Sequence, residues 1–239
     1  MAEQDLANLV ALGLAWYVVL LLSLTVHEAA HALAALRGGD RTAYLGGQVS
    51  LDPLPHIRRD PFGTVIFPVI SYAFSSGGWM IGWASTPMDP AWARVYPRRA
   101  AWMAVAGPSA NLALAVLAGL ALRGGIAAGV FVPEYAGFAS LVTAADGSLW
   151  AAAGTVLSIA FMLNLVLFVF NLFPIPPLDG AAALGIVLPE AAARRLQEWF
   201  ATPVVALFGF LFAWRLFPSL FAPVRDAALA LLYGGVTPS

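Results

Sequence analysis

Cysteine is absent from the 239 residues. No disulfide can form, and no thiolate can hold a metal, so a metal site must be built from His, Asp or Glu. Lysine is also absent, and all twelve basic residues are arginine. Charge is scarce: 10% of residues against the roughly 25% of a soluble domain. A net charge of −1 leaves no basic footprint for nucleic acid, which is not an expected partner. The first residues, Met1 to Ala7, are acidic and lack the basic start of a cleavable signal peptide. No internal repeat or low-complexity linker is visible. What the chain has instead is apolar surface, with 61% hydrophobic residues. Composition and length together predict an all-α, polytopic integral membrane protein. The whole of 1–239 reads as one membrane-embedded domain in a lipid bilayer, without an added soluble domain.

The apolar runs predict about 4–6 membrane segments. The first extends from residue 8 to Leu36, about 29 residues, and Gly38-Gly39-Asp40 stops it. Residues 37–61 are polar. Within them 43–51 (AYLGGQVSL) looks strand-like around Gly46-Gly47, either as an edge for an extended peptide or as an ordinary loop. Residues 62–83 are apolar but broken by Pro, Gly and Ser. Residues 101–122 and 150–173 are clean spans, and 203–222 is apolar around Arg215. Arg215 is expected to snorkel from near a helix end.

Arginines crowd 37–61, 84–100 and 174–200, whereas 123–149 has a single one, Arg123. By the positive-inside rule the first three face the cytoplasm and the last lies outside. Segment 62–83 then joins two cytoplasmic loops. It is expected to be re-entrant, the alternative being a single crossing that breaks the rule.

Two of the three histidines fall in His27-Glu28-Ala29-Ala30-His31, at the C-terminal part of the first run. On a helix, residues four apart share a face, so His27 and His31 can present two imidazoles to one metal. Glu28 lies beside them, where a carboxylate can take a proton from an attacking water. This is the zinc-hydrolase pattern, which a lone match can also produce by chance. A catalytic zinc takes three protein ligands. The distant partner is Asp179, in a Pro-rich turn after the 150–173 span and at matching depth. Alone, Asp179 reads as a helix cap. Paired with the histidines, it reads as the third ligand.

The order of these elements resembles the site-2 protease family of intramembrane zinc metalloproteases, in its small bacterial-type branch. The resemblance covers most of the chain. Thr25 to His31 is similar to the family's first motif. Ala106-Gly107-Pro108-Ser109-Ala110-Asn111 is similar to its A-G-P-x-x-N element, and Asn171 to Gly180 to its N-x-x-P-x-P-P-L-D-G motif. Leu51 to Ile57 is similar to an N-P-L-x-H-I-D segment. There Asp52 replaces Asn, and Arg58-Arg59 separates Ile57 from Asp60.

The resemblance implies one Zn2+ held by His27, His31 and Asp179, with Glu28 as general base and acid. It also implies peptide-bond cleavage within or beside a membrane span of a substrate protein, in the plasma membrane of a prokaryote. Asn171 and Asn111 are candidate oxyanion donors, and Asn111 reads equally as a helix–helix hydrogen-bonding residue. His56 is left with three readings: approach to the metal, orientation of substrate, or capping of a loop. Two other functions compete. A membrane metal transporter would need a second metal station, and the later spans offer only uncharged hydroxyls and amides, among them Asn111, Ser158, Asn164 and Asn171. A non-catalytic member binding membrane helices would be expected to lack Glu28.

Overall fold

The computed structural model describes residues 2–144, 148–200 and 202–234, with side chains from residue 5 onward. Four helices are long and apolar enough to cross a membrane, and the protein is a multi-pass helical membrane protein. The first, α1 (Ala2–Gly38), ends where the sequence says it should. Gly39 adopts φ +103°, its N–H donates to Leu36 O, and Asp40 N–H donates to Ala35 O. This left-handed glycine closes the last turn as a Schellman stop.

The strand expected in 43–51 is not there. Asp40 Oδ1 accepts from both the N–H (2.9 Å) and the hydroxyl (2.6 Å) of Thr42, which starts a single helical turn, α2 (Thr42–Leu45). Gly47, at φ +74°, then turns the chain away. Local capping wins because no partner strand pairs with this stretch among the described residues. The small sheet lies elsewhere, in the loop that follows the second long helix. Asp52 caps α3 (Pro53–Arg59) by accepting from Leu54 N–H.

Residues 62–83 go in and come back. A π-turn (Phe62–Ile66) leads into α4 (Phe67–Phe74), whose tip lies at the far end of α1, where Tyr72 donates its hydroxyl proton to Leu9 O. The chain reverses at 75–78 and residues 79–89 run back without regular structure. The two legs touch at glycines. A Cβ on Gly63 would lie 2.5 Å from Trp83 O, and one on Gly82 2.6 Å from Gly63 O. Trp83 N–H donates to Gly63 O. Both legs end together, since Ser85 Oγ donates to Asp60 Oδ2. The segment is a hairpin that leaves and returns at the same end of α1, the path a re-entrant segment takes.

The helix α5 (Pro90–Val95) passes under the end of α1, where Trp92 Nε1 and Arg99 Nη1 both donate to Gly38 O. From there α6 (Pro97–Ala127) crosses to the other end. The hairpin β1 (Val132–Gly137) and β2 (Ser140–Thr143) seats Leu141 and Val142 in the core against the long helices. The return helix α7 (Leu149–Asn171) starts on a Ser148 cap. The Pro-rich turn 172–178 leads into α8 (Asp179–Ala183), followed by α9 (Glu190–Phe200) and α10 (Pro203–Tyr233). Arg123 Nη1 donates to Leu231 O, tying the far ends of α6 and α10 together.

The first three long helices form the body. The apolar window of α10 is 11% buried against 44% for α7, so α10 is peripheral. Arg215 is exposed, but it is not near a helix end: α10 runs through Pro218 and Pro223 to Tyr233. Prolines bend a helix whose neighbours hold it, and need not end it.

Candidate active site

His27, His31 and Asp179 meet. The Nε2 atoms of the two histidines are 3.0 Å apart, and Asp179 Oδ2 lies 3.1 Å from His27 Nε2 and 3.2 Å from that of His31. Two residues of α1 are thus joined by one from the start of α8, as far off in the chain as the sequence implied. Gly180 makes this approach feasible. A Cβ there would lie 2.2 Å from Leu172 O and 2.4 Å from Phe173 O, so only glycine lets α8 fold against the end of α7 and carry Asp179 under α1.

The far side of each ring is engaged. His31 Nδ1 donates to Met103 O at 2.7 Å, and His27 Nδ1 to Asn111 Oδ1 at 2.5 Å. With each Nδ1 carrying its proton, each Nε2 presents a lone pair. Two such lone pairs and a carboxylate oxygen 3.0–3.2 Å from one another repel unless a cation sits among them.

The triangle suits zinc. At bond lengths of about 2.0–2.1 Å, tetrahedral ligands stand ~3.3 Å apart. The rings are also given room. A Cβ on Gly107 would lie 2.3 Å from His31 Nε2 and 2.6 Å from His27 Nε2, so the glycine of Ala-Gly-Pro lets both rings pack against α6 in the positions they hold. Zn2+ is the cofactor these donors fit, and histidines with a fixed second nitrogen are the usual form of such ligands.

Behind the rings lies a buried amide relay. Asn111 Nδ2 donates to Asn164 Oδ1 (2.8 Å), and Asn164 Nδ2 donates to Ser23 Oγ (2.9 Å) and Ala160 O (2.9 Å). Asn111 is 0% exposed with both ends of its amide occupied. It does not face open space as an oxyanion donor must, and the helix-bridging role is the one the geometry carries, with His27 as a further partner. Asn171 donates back to Leu167 O within α7. His56 is not in the group. It is buried in α3 with Nε2 3.2 Å from Ser50 O, so of its three readings the loop contact is the one present.

Glu28 and His31 line a cavity of about 510 Å3 with Asp179, Thr86 and the Pro176-Pro177 turn. Thr86 Oγ1 lies 2.7 Å from Glu28 Oε2 and 2.9 Å from Glu28 O. Sequence reasoning did not find Thr86, Asn164, Ser23 or Met103 O. Only a fold can bring the return leg of the hairpin to Glu28, and a backbone carbonyl leaves no mark in a sequence.

Comparison with known proteins agrees with this geometry. The description of Peptidase family M50 matches residues 15–216. A Bacillus subtilis protein named "Putative zinc metalloprotease YwhC" is 32% identical over 182 residues, 76% of this chain and 72% of its own length. Two proteins named "Putative zinc metalloprotease Rip2" are also similar. The one from Mycolicibacterium smegmatis is 31% identical over 78% of this chain, and that from Mycobacterium tuberculosis 35% over 74%. The chain spans 63% and 58% of their lengths respectively. No solved structure matches. With a donor set suited to zinc at the junction of α1 and α8, and a match running through nearly all the membrane helices, the chain belongs to Peptidase family M50, the site-2 protease family, and is a zinc metalloprotease.

Proposed function

We propose that this protein hydrolyses a peptide bond within or next to a transmembrane segment of another protein. The carrying observation is depth. His27 lies eleven residues before the end of α1, about 16 Å along the helix axis, and the cavity beside it is lined by α1 and α6, two helices long and apolar enough to cross a membrane, together with α5, α8, α9 and the returning leg of the hairpin.

In this reading His27, His31 and Asp179 hold the zinc, and Asn111 and Met103 O fix the two rings. Zinc, when bound there, lowers the pKa of water towards about 7 and polarises the scissile carbonyl. Glu28 accepts the proton of the attacking water and passes it to the leaving amine. A substrate helix has to unwind first, and its bared backbone needs partners inside the membrane. Residues 79–89 suit that need better than 43–51. Gly82 packs at Leu20 and Thr86 at Glu28, so four residues follow eight of the helix, about 12 Å, which is near the full reach of an extended chain. Ala84, Ser85, Thr86 and Met88 of this leg line the cavity.

The arginine-rich segments surround the end of the molecule where the site lies, and Arg123 marks the other end. That distribution supports a site opening to the cytoplasm of a prokaryotic plasma membrane. A transporter is disfavoured because the described residues hold one group of three metal-binding side chains and no second station on the way across.

The test is cleavage by purified protein in vesicles of single-span proteins with and without Gly or Pro in the span. Cutting inside the span, favoured by those helix breakers and absent in Glu28→Gln, is expected. Equal cleavage by Glu28→Gln, or cutting confined to soluble loops far from the membrane, would contradict the proposal.

A further inference from the structure

Two features have no task in the scheme above: the Leu51–Ile57 segment with its buried histidine, and the hydroxyl of Thr86. They belong together. The Glu28 carboxylate has one hydrogen-bonding partner among the described residues, Thr86 Oγ1 at 2.7 Å. An ionised carboxylate only accepts, so the hydroxyl proton can be given to Oε2, leaving Oε1 without a hydrogen-bonding partner among the described residues. A charge-assisted O–H···O bond of this kind is stronger than a neutral one and fixes the terminal torsion of a side chain that otherwise turns freely.

Thr86 is itself held by its neighbours in the chain. On one side, Gln48 Nε2 donates to Ser85 O (3.0 Å), Ser85 Oγ donates to Asp60 Oδ2 (2.5 Å), and Arg59 Nε donates to Ser85 Oγ (3.1 Å). On the other, Asp89 N–H donates to Asp40 Oδ2 (2.9 Å). Gln48 is buried at 2% exposure, and His56 at 1% binds Ser50 O, folding the 48–52 loop onto α3. The whole stretch from Gln48 to Asp60 therefore acts as a clamp on Ser85, one residue away from Thr86.

We propose that Thr86 is the positioning residue for the Glu28 carboxylate, and that the Gln48–Arg59–Asp60 clamp on Ser85 keeps it there. This rests on the reading of Glu28 as the proton carrier. The clamp couples two parts of the fold that sequence distance separates, the polar loop after α1 and the inward face of α1 at the site. It gives His56 a place in catalysis at two removes, through the loop it folds.

The experiment compares wild type, Thr86→Val, Thr86→Ser, Asp60→Ala and the Thr86→Val/Asp60→Ala double variant, all in vesicles. The substrate is a single-span reporter carrying Gly and Pro in its span. General acid–base catalysis supplies ~10²–10⁴-fold. A carboxylate left to wander should forfeit part of that: a fall of roughly 10–100-fold in kcat for Thr86→Val. KM should stay within about 3-fold, and zinc per chain should not change. Thr86→Ser, which keeps the hydroxyl, should recover to within about 3-fold of wild type. Asp60→Ala should lose less and add nothing to Thr86→Val. Wild-type kcat in Thr86→Val, or Thr86→Ser as impaired as Thr86→Val, would overturn the proposal.

A second measurement needs no substrate. In thermal unfolding, Thr86→Val should lower the midpoint in the wild-type background and have a smaller effect in Glu28→Ala. Equal drops in both backgrounds would show that the two groups do not interact. Failure of the protease reading has a different signature, cleavage surviving in Glu28→Gln or missing in wild type, and the unfolding comparison decides the Thr86–Glu28 contact in either case.

Discussion

Replacing Gly107 with alanine should empty the metal site. The added methyl carbon would sit 2.3 Å from His31 Nε2 and 2.6 Å from His27 Nε2. It would also lie 2.7 Å from His27 Cε1, so it overlaps both imidazoles beside the nitrogens that face the metal, and the two rings could not keep the positions that zinc requires. Relief by ring rotation is blocked, because Met103 O and Asn111 hold the opposite nitrogens. The helices would have to part by roughly an ångström in a body packed close to crystal density. Loss of an outer-shell partner costs about 10–100-fold in metal affinity; displacing both ligand rings should cost more. The assay is zinc per chain after dialysis against a buffered range of free zinc. Gly119→Ala is the control on the same helix. Its methyl would press 2.8 Å from the ring edge of Phe161, away from the site, so it should lose stability but keep zinc. Wild-type zinc affinity in Gly107→Ala would refute the role of the two rings, as packed against Gly107, in holding the metal.

Asn111→Ala frees the His27 ring and should weaken zinc by roughly 10–100-fold in the same titration, with Asn164→Ala weaker in effect because it acts through Asn111. Asp40→Ala removes the acceptor for Thr42 and Asp89 and should cost about 1–2 kcal/mol in denaturant unfolding. Burial works to raise the Asp40 pKa, but the donors from Thr42 and Asp89 outweigh it and hold the carboxyl below its ordinary range. The stability advantage of wild type over Asp40→Asn should therefore be complete above about pH 4 and fade as pH falls further through the lowered pKa. Because cysteine is absent, single cysteines can be placed without background. Leu149→Cys, at the exposed start of α7, should react with an impermeant thiol reagent from outside, and Leu54→Cys and Val187→Cys only from inside; the reverse pattern would turn the site outward.

The grouping of His27, His31 and Asp179 was legible in the sequence because its geometry is local or signposted. His27 and His31 share a helix face by spacing alone, and Asp179 follows a turn whose prolines and glycine have few other uses. The same sequence misplaced the sheet. The stretch 43–51 has strand-like residues, but Asp40 caps Thr42 and two glycines turn the chain before any pairing. Val142 and Thr143, which do pair, sit in a loop where periodicity is too short to read. The hairpin at 62–83 was legible from its broken apolarity and the arginines around it. Its consequence was not, since nothing in Ala84-Ser85-Thr86 announces that it returns to Glu28. Asn111 stood open between oxyanion donor and helix bridge until its two amide ends found His27 and Asn164.

Zinc content of purified protein tests the central claim most directly. The account predicts about one zinc per chain in wild type and in Glu28→Gln, and little or none in His27→Ala or Asp179→Ala. An Asp179→Ala protein that keeps its zinc at wild-type affinity would contradict it, because the triangle of His27, His31 and Asp179 would then not be the metal site.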